Sequence, residues 1–239
     1  FGNKKCRIYA ACGVLQTPIK IYLRRVAFFI LKSDVNQKIG GVYMNYVVES
    51  YENYKEEDRL TTNNARKIEF ITTTRVLDEV IDAESKILDC AAGTGVYAFW
   101  LADKGHDVTA TDITPRHIDI INQTLKTKKY SMNTAVLDAT DMSCFADDTF
   151  DVVLNMGPFY HLVTEKQREK CLKECLRVLK KGGLLITAYI PRYYVFQYVA
   201  TNNVKYLDGH LAKQLIETGI LKHCFPVLPL TSDNTKPHS

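Results

Sequence analysis

Between Lys86 and Ile190 the apolar positions switch repeatedly between short runs and helical spacing. Ile87 and Leu88 run into Asp89, a loop follows with Gly93 and Gly95, and Val96 to Leu101 reads as a compact helix start closed by Lys104 and Gly105. Val108 and Ala110 then alternate with Thr109 and Thr111 up to Asp112, which predicts a second strand. Thr114 and Pro115 read as the N-cap and first turn of a helix with Ile118, Ile121 and Leu125 on its buried stripe. A third strand is predicted at 134–138 and a fourth at Phe150–Asn155, which Gly157 and Pro158 end sharply. Thr164 and Gln167 form a capping box opening a helix with Leu172, Cys175, Leu176 and Leu179 on one face and Gly182 as its stop. The run 184–190 is almost wholly apolar, as in a strand buried inside a parallel sheet. This alternation predicts an α/β fold: a doubly wound, mainly parallel Rossmann-like sheet over 85–190 with helices on both faces.

The flanks are less regular. Residues 45–59 read as a short helix and loop rich in Tyr and Glu. Phe70, Leu77, Val80 and Ile81 then recur at helical spacing after an N-cap at Asn63 or Asn64. Residues 44–84 are therefore expected to form an N-terminal helical cap, lying on the sheet edge or folded over the ligand crevice. Residues 1–43 hold eight Lys or Arg against one acidic residue, Asp34, and the first Met is Met44, just after Gly40 and Gly41. They read as translated leader, or a disordered basic arm, ahead of a natural start at Met44. Beyond Ile190 the pattern fades: 193–204 is aromatic and irregular, 210–218 is a candidate helix, and Pro226, Pro229 and Pro237 stand in a polar tail.

Charge changes the picture in one respect. The net charge of +4 comes from the first 43 residues, and the remaining 23 basic and 26 acidic groups leave the folded part slightly acidic. Nothing there argues for a nucleic-acid or anionic-membrane partner. No run approaches the ~20 apolar residues of a membrane span. The seven cysteines show no disulfide rhythm and no metal-ligand spacing, so reduced thiols in a cytoplasmic protein are expected. His106 and His117 read as surface residues near helix ends, and no histidine cluster suggests a metal.

Gly93, Gly95 and Ala98 fit a G-x-G-x-x-A nucleotide loop, and Asp112 lies near the spacing of a ribose-binding carboxylate. An NAD(P)-dependent oxidoreductase would use the same unit. Asp89, however, ends the first strand four residues before Gly93, beside the position the fingerprint gives a pyrophosphate. A carboxylate there repels phosphates and suits a ligand that is positive at that end, such as S-adenosylmethionine.

The segments DCAAGTG at 89–95, Asp112, LDATD at 137–141, FDVVLNMGPFYHL at 150–162 and RVLKKGGLLITAY at 177–189, in that order, resemble the class I S-adenosylmethionine-dependent methyltransferases. One departure is Ala91, where that family usually has the first glycine of its loop. The resemblance implies a small-molecule methyltransferase with S-adenosylmethionine as cofactor. It implies that Asp89, Ala91 and the Gly93–Thr94–Gly95 backbone hold the methionine moiety, that Asp112 accepts both ribose hydroxyls, and that Ile113 packs on the adenine. Asp138 would take the adenine amino group with Ala139 beside it, and Asn155 would lie next to the methyl. Tyr160 and His161 are the candidates for acceptor contact or proton removal. The family fold continues past its fifth strand with a helix and an antiparallel strand pair, which 191–239 does not offer. Truncation or a frame shift after about His223 is therefore expected, leaving the fifth strand as an exposed edge. A truncated, inactive cofactor-binding remnant stays open as an alternative. The acceptor and the oligomeric state are not readable.

Overall fold

The computed structural model describes residues 7–9, 20–22, 47–52, 56–60, 64–162 and 164–188. All of them belong to a unit spanning Phe1–Ile190. The readings for Met44, for Asn63, for the irregular 193–204 stretch, the 210–218 helix and the proline-containing tail fall outside the described residues, as does most of 1–43. Within that first stretch the described residues are two short strands, β1 (Arg7–Tyr9) and β2 (Lys20–Tyr22). Then come α1 (residues 47–52), a 3-10 turn at Glu56–Asp58 and α2 (Asn64–Val80). The core follows as β3 (Lys86–Asp89), α3 (Val96–Asp103), β4 (Asp107–Asp112), α4 (Pro115–Leu125), β5 (Asn133–Val136), β6 (Phe150–Asn155), α5 (Pro158–His161), α6 (Glu165–Val178) and β7 (Leu179–Thr187).

The sheet order is β2-β1-β7-β6-β3-β4-β5, parallel throughout except for the β1–β2 pair. From β3 the chain winds outward through β4 to β5, then returns to place β6 on the other side of β3. The order therefore reverses between β3 and β6, and the carboxyl ends of these strands frame the crevice where doubly wound sheets bind ligands. Register fixes that frame: Asp89 pairs with Ala110 on one side and Leu154 on the other.

Side-chain alternation sorts the core onto two faces. Ile87, Leu154 and Ile186 pack with Leu77, Ala98, Leu101, Ile118 and Ile121 from α2, α3 and α4. Leu88, Val153 and Leu185 pack on the opposite face with Cys171, Cys175 and Val178 of α6. Helices thus cover both faces, as the sequence predicts, and β4 is buried on both, its threonines included.

Three readings need correction. Leu176 is 46% exposed, and the buried stripe of α6 runs instead through Cys171, Cys175 and Val178. Gly182 does not stop that helix, because α6 ends at Val178 and β7 begins at once with Leu179. Gly182, at φ 83°, lies inside a register shift where Phe150 pairs with Leu179 but Val152 with Leu184, and a Cβ on Gly183 would stand 2.8 Å from the Asp151 carbonyl. The glycine pair lets three extra residues bulge out of the strand. Finally, β7 is not an edge: Arg7–Tyr9 pair with Leu184–Ile186 in parallel, satisfying main-chain groups that an edge would leave open.

Candidate active site

β3 delivers Asp89 to the crevice and turns into the loop Cys90–Gly95. The loop is pinned by its own backbone: Cys90 N–H donates to Leu154 O, Ala92 N–H to Thr111 O and Gly95 N–H to Ala92 O, at 3.0, 2.9 and 2.9 Å. Gly95 caps α3 in the left-handed region, φ 86°, and a Cβ on it would meet Ile121 at 2.9 Å, so only glycine fits there. Ala98, the third position of the fingerprint, is fully buried where α3 crosses the sheet. Thr94 is buried within the loop, and Ala91 is half-buried, its Cβ only 3.0 Å from where a Cβ on Gly157 would stand. The Ala91 departure is thus accommodated by a glycine on the facing loop after β6.

Two carboxylates end neighbouring strands. Asp89 is 1% exposed and its Oδ2 has no hydrogen-bond partner among the described residues. Burial, reinforced by the charge of Asp112 and opposed by the Ala91 N–H, pushes its carboxyl up to about 7. Asp112, by contrast, accepts from Gly93 N–H through Oδ2 at 2.8 Å and from Thr114 N–H through Oδ1 at 2.9 Å, with His117 Nδ1 3.1 Å from Oδ1. Burial works to raise it, but the His117 hydrogen bond and charge, with the two backbone donors, hold it below the usual carboxylate range.

The remaining expected residues gather around the same crevice. Ile113 follows Asp112 and is half-buried. Asp138, after β5, receives Thr140 N–H at 2.7 Å, and Ala139 beside it is buried. Asn155 ends β6 fully buried; its Nδ2 lies 3.8 Å from Cys171 Sγ and its Oδ1 has no partner among the described residues. His161 ends α5, and burial lowers its pKa while Asp112 opposes that. The side chain of Tyr160 lies outside the described residues.

Sequence reasoning missed three participants. His117, read as a surface residue near a helix end, is 2% exposed and turned back onto Asp112. Its signal was present: with Pro115 at the first position of α4, His117 sits in the first turn, and side chains there lean toward the N-terminus. Tyr51 of α1 reaches His161, its hydroxyl 3.0 Å from Nε2, and its ring meets the His117 and His161 rings edge-on at 5.4 and 5.5 Å. Glu56 lies over the glycine loop, its Cγ 3.6 Å from the place of a Gly93 Cβ, and Arg59 binds it at 2.5 Å and Glu69 at 2.8 Å. The cap therefore divides. Tyr51 meets the His117 and His161 rings and Glu56 lies over the glycine loop, while α2 packs Leu77 into the core and stacks Phe70 on Tyr97 at 5.7 Å.

This arrangement has known relatives. Residues 87–183 match the methyltransferase domain family. The matched segment is a methyltransferase domain. The chain is 31% identical over 145 residues to a glycine/sarcosine N-methyltransferase of Parasynechococcus marenigrum, covering 59% of this chain and 51% of the relative. It is 31% identical over 157 residues to a demethylmenaquinone methyltransferase of Clavibacter sepedonicus, covering 66% and 61%. The chain thus spans about half to three fifths of these relatives' lengths. The N-methyltransferase NodS of Bradyrhizobium japonicum, solved with S-adenosyl-L-homocysteine, shares the fold of the methyltransferase domain at TM-score 0.52 and 21% identity, over 60% of this chain and 72% of that one. No described helix is long and apolar enough to cross a membrane.

Proposed function

We propose that this chain transfers the methyl group of S-adenosylmethionine to a small-molecule acceptor. The observation that carries the reading is Asp89 Oδ2, buried beside the glycine loop with no described partner. A buried carboxylate oxygen left unpaired is costly, and an ammonium group on a ligand relieves that cost. A pyrophosphate would add to it, which disfavours the nicotinamide alternative.

In this reading Asp89 and the backbone of Ala91, Gly93, Thr94 and Gly95 hold the methionine end. Asp112 accepts from the ribose, Ile113 packs on the adenine, Asp138 and Ala139 take its amino edge, and Asn155 borders the reacting centre. Bound cofactor supplies a methyl carbon on a sulfonium whose charge vanishes on transfer. The chain's own part is alignment and exclusion of water, to which Tyr51 beside His161 and Glu56 over the glycine loop contribute cover. His161, whose pKa burial lowers against the opposing charge of Asp112, takes a proton from the acceptor where the nucleophile carries one; Tyr160 is its neighbour in sequence and the second candidate. The free, buried thiols Cys90, Cys171 and Cys175 fit a cytoplasmic setting.

The relatives named above differ in acceptor, so the test begins with the cofactor. Calorimetry with S-adenosylmethionine, S-adenosylhomocysteine and NADPH is expected to show binding of the first two only. Binding of NADPH without S-adenosylmethionine would overturn the reading. Release of S-adenosylhomocysteine across a panel of amine, phenol and quinol acceptors then identifies the substrate, and binding without release from any of them would mark a cofactor-binding remnant.

A further inference from the structure

His117 carries a cost that packing alone does not explain. It is 2% exposed, its Nε2 has no partner among the described residues, and its ring is held edge-on against Tyr51. A buried ring nitrogen without a partner carries a desolvation cost that an apolar side chain of similar size would avoid. The compensating contact is Nδ1, 3.1 Å from Asp112 Oδ1. An ionised carboxylate only accepts, so the proton of this bond sits on Nδ1. The other two donors to Asp112 are backbone N–H groups of Gly93 and Thr114, on two different loops. Among the described residues His117 is the one side chain in the set, and it stands in the first turn of α4, where the helix end itself favours negative charge.

We infer that His117 is a positioning residue for cofactor binding, its Nδ1–H fixing the Asp112 carboxylate in one orientation toward the ribose. Packing of Tyr51 against the ring locks that donor, as a preorganised site requires. The inference rests on the reading of Asp112 as the ribose acceptor given above. With three donors already in place, the carboxylate meets the ligand without reorienting, and Gly93 N–H ties its position to that of the glycine loop.

Two variants separate positioning from packing. His117→Asn keeps an N–H donor near the place of Nδ1, whereas His117→Leu fills the volume without one. Expected for His117→Leu is about tenfold weaker S-adenosylmethionine binding, the size of one lost hydrogen bond to a charged group, with kcat at saturation unchanged. Affinity in His117→Asn should stay within about threefold of the parent, since the donor is retained. In the ligand-free protein, carboxyl-carbon NMR should show the Asp112 titration moving up in His117→Leu and staying low in His117→Asn. Unchanged affinity in His117→Leu would overturn the inference, and so would equal loss in both variants with Asp112 titrating as before. Should the parent chain bind no S-adenosylmethionine, the proposed function fails, and the ligand-free titration alone decides whether His117 sets the carboxylate.

Discussion

Asp89 and Asp112 close adjacent parallel strands, are both buried, and are held in opposite ways. Asp112 is satisfied by its own chain through Gly93, Thr114 and His117. Asp89 keeps one oxygen without a described partner and is pushed up to about 7, in part by Asp112 itself. The difference teaches that only one of the two carboxylates is prepared to receive a cation. Asp112 is a finished acceptor that belongs to the fold as well as to the site. Asp89 is an unfinished one, and in the function proposed above its cost is recovered when a positive ligand arrives.

The contrast breaks most visibly at Asp89. Asp89→Asn should weaken S-adenosylmethionine binding by at least about a hundredfold, because it removes one partner of a buried pair. The same change should stabilise the ligand-free protein. An acid whose folded pKa is raised binds more protons folded than unfolded, so stability falls as pH rises from 3.8 to about 7 and is flat above. Asparagine removes that loss, so thermal melts above pH 7 should rise in the variant by an amount on the order of a few kcal/mol. Parent affinity should follow the ionised fraction, dropping about tenfold for each unit below that value. Lower melting of Asp89→Asn at pH 8 would mean that the carboxylate is a structural partner after all.

A change across the crevice should leave both carboxylates alone. His161→Ala removes the group 3.0 Å from the Tyr51 hydroxyl. It should lower kcat by about a hundredfold where the acceptor must lose a proton, with cofactor affinity intact; equal loss of both would assign His161 to the cap. Asp112→Ala should weaken cofactor binding by roughly 1.5–3 kcal/mol. Unlike Asp89→Asn it should also destabilise the ligand-free chain, since the N–H groups of Gly93 and Thr114 lose their acceptor. Its stabilising effect is present above the unfolded carboxylate value and is lost as pH falls through the lowered folded one. Removing its charge should also bring the Asp89 titration down.

What the sequence showed of this contrast, and what it hid, follows from the range of each interaction. Strand, glycine loop, helix and second strand from Lys86 to Asp112 are local, so both carboxylates could be placed at strand ends by pattern alone. Their partners were less accessible. His117 needs only one helical turn to reach Asp112, and it was hidden by reading a polar residue near a helix end as solvated. Tyr51 and His161 meet across 110 residues, which no periodicity reports. Likewise the start of β7 was masked by Gly182, a residue that serves equally well to end a helix or to turn a bulge. The pairing of β1 with β7 joins segments too distant in sequence for any local rule.

The smallest expected effect tests how tightly the loop under Asp89 is held. Gly157 has φ −136° and needs no special backbone freedom, so its value is the absent side chain: a Cβ there would meet Ala91 Cβ at 3.0 Å. Gly157→Ala should therefore push the glycine loop by a few tenths of an ångström, cost about 1 kcal/mol of stability, and weaken cofactor binding by a few-fold. Ala91→Gly alone should be close to neutral at the contact, because it removes one of two facing groups. Together the changes exchange which loop carries the methyl group, so the double variant should recover most of the loss. A coupling of about 0.5–1 kcal/mol in the cycle is expected for side chains in direct contact. Additive losses would show that the two loops are not in register across the crevice, and that Ala91 is tolerated for a reason other than Gly157.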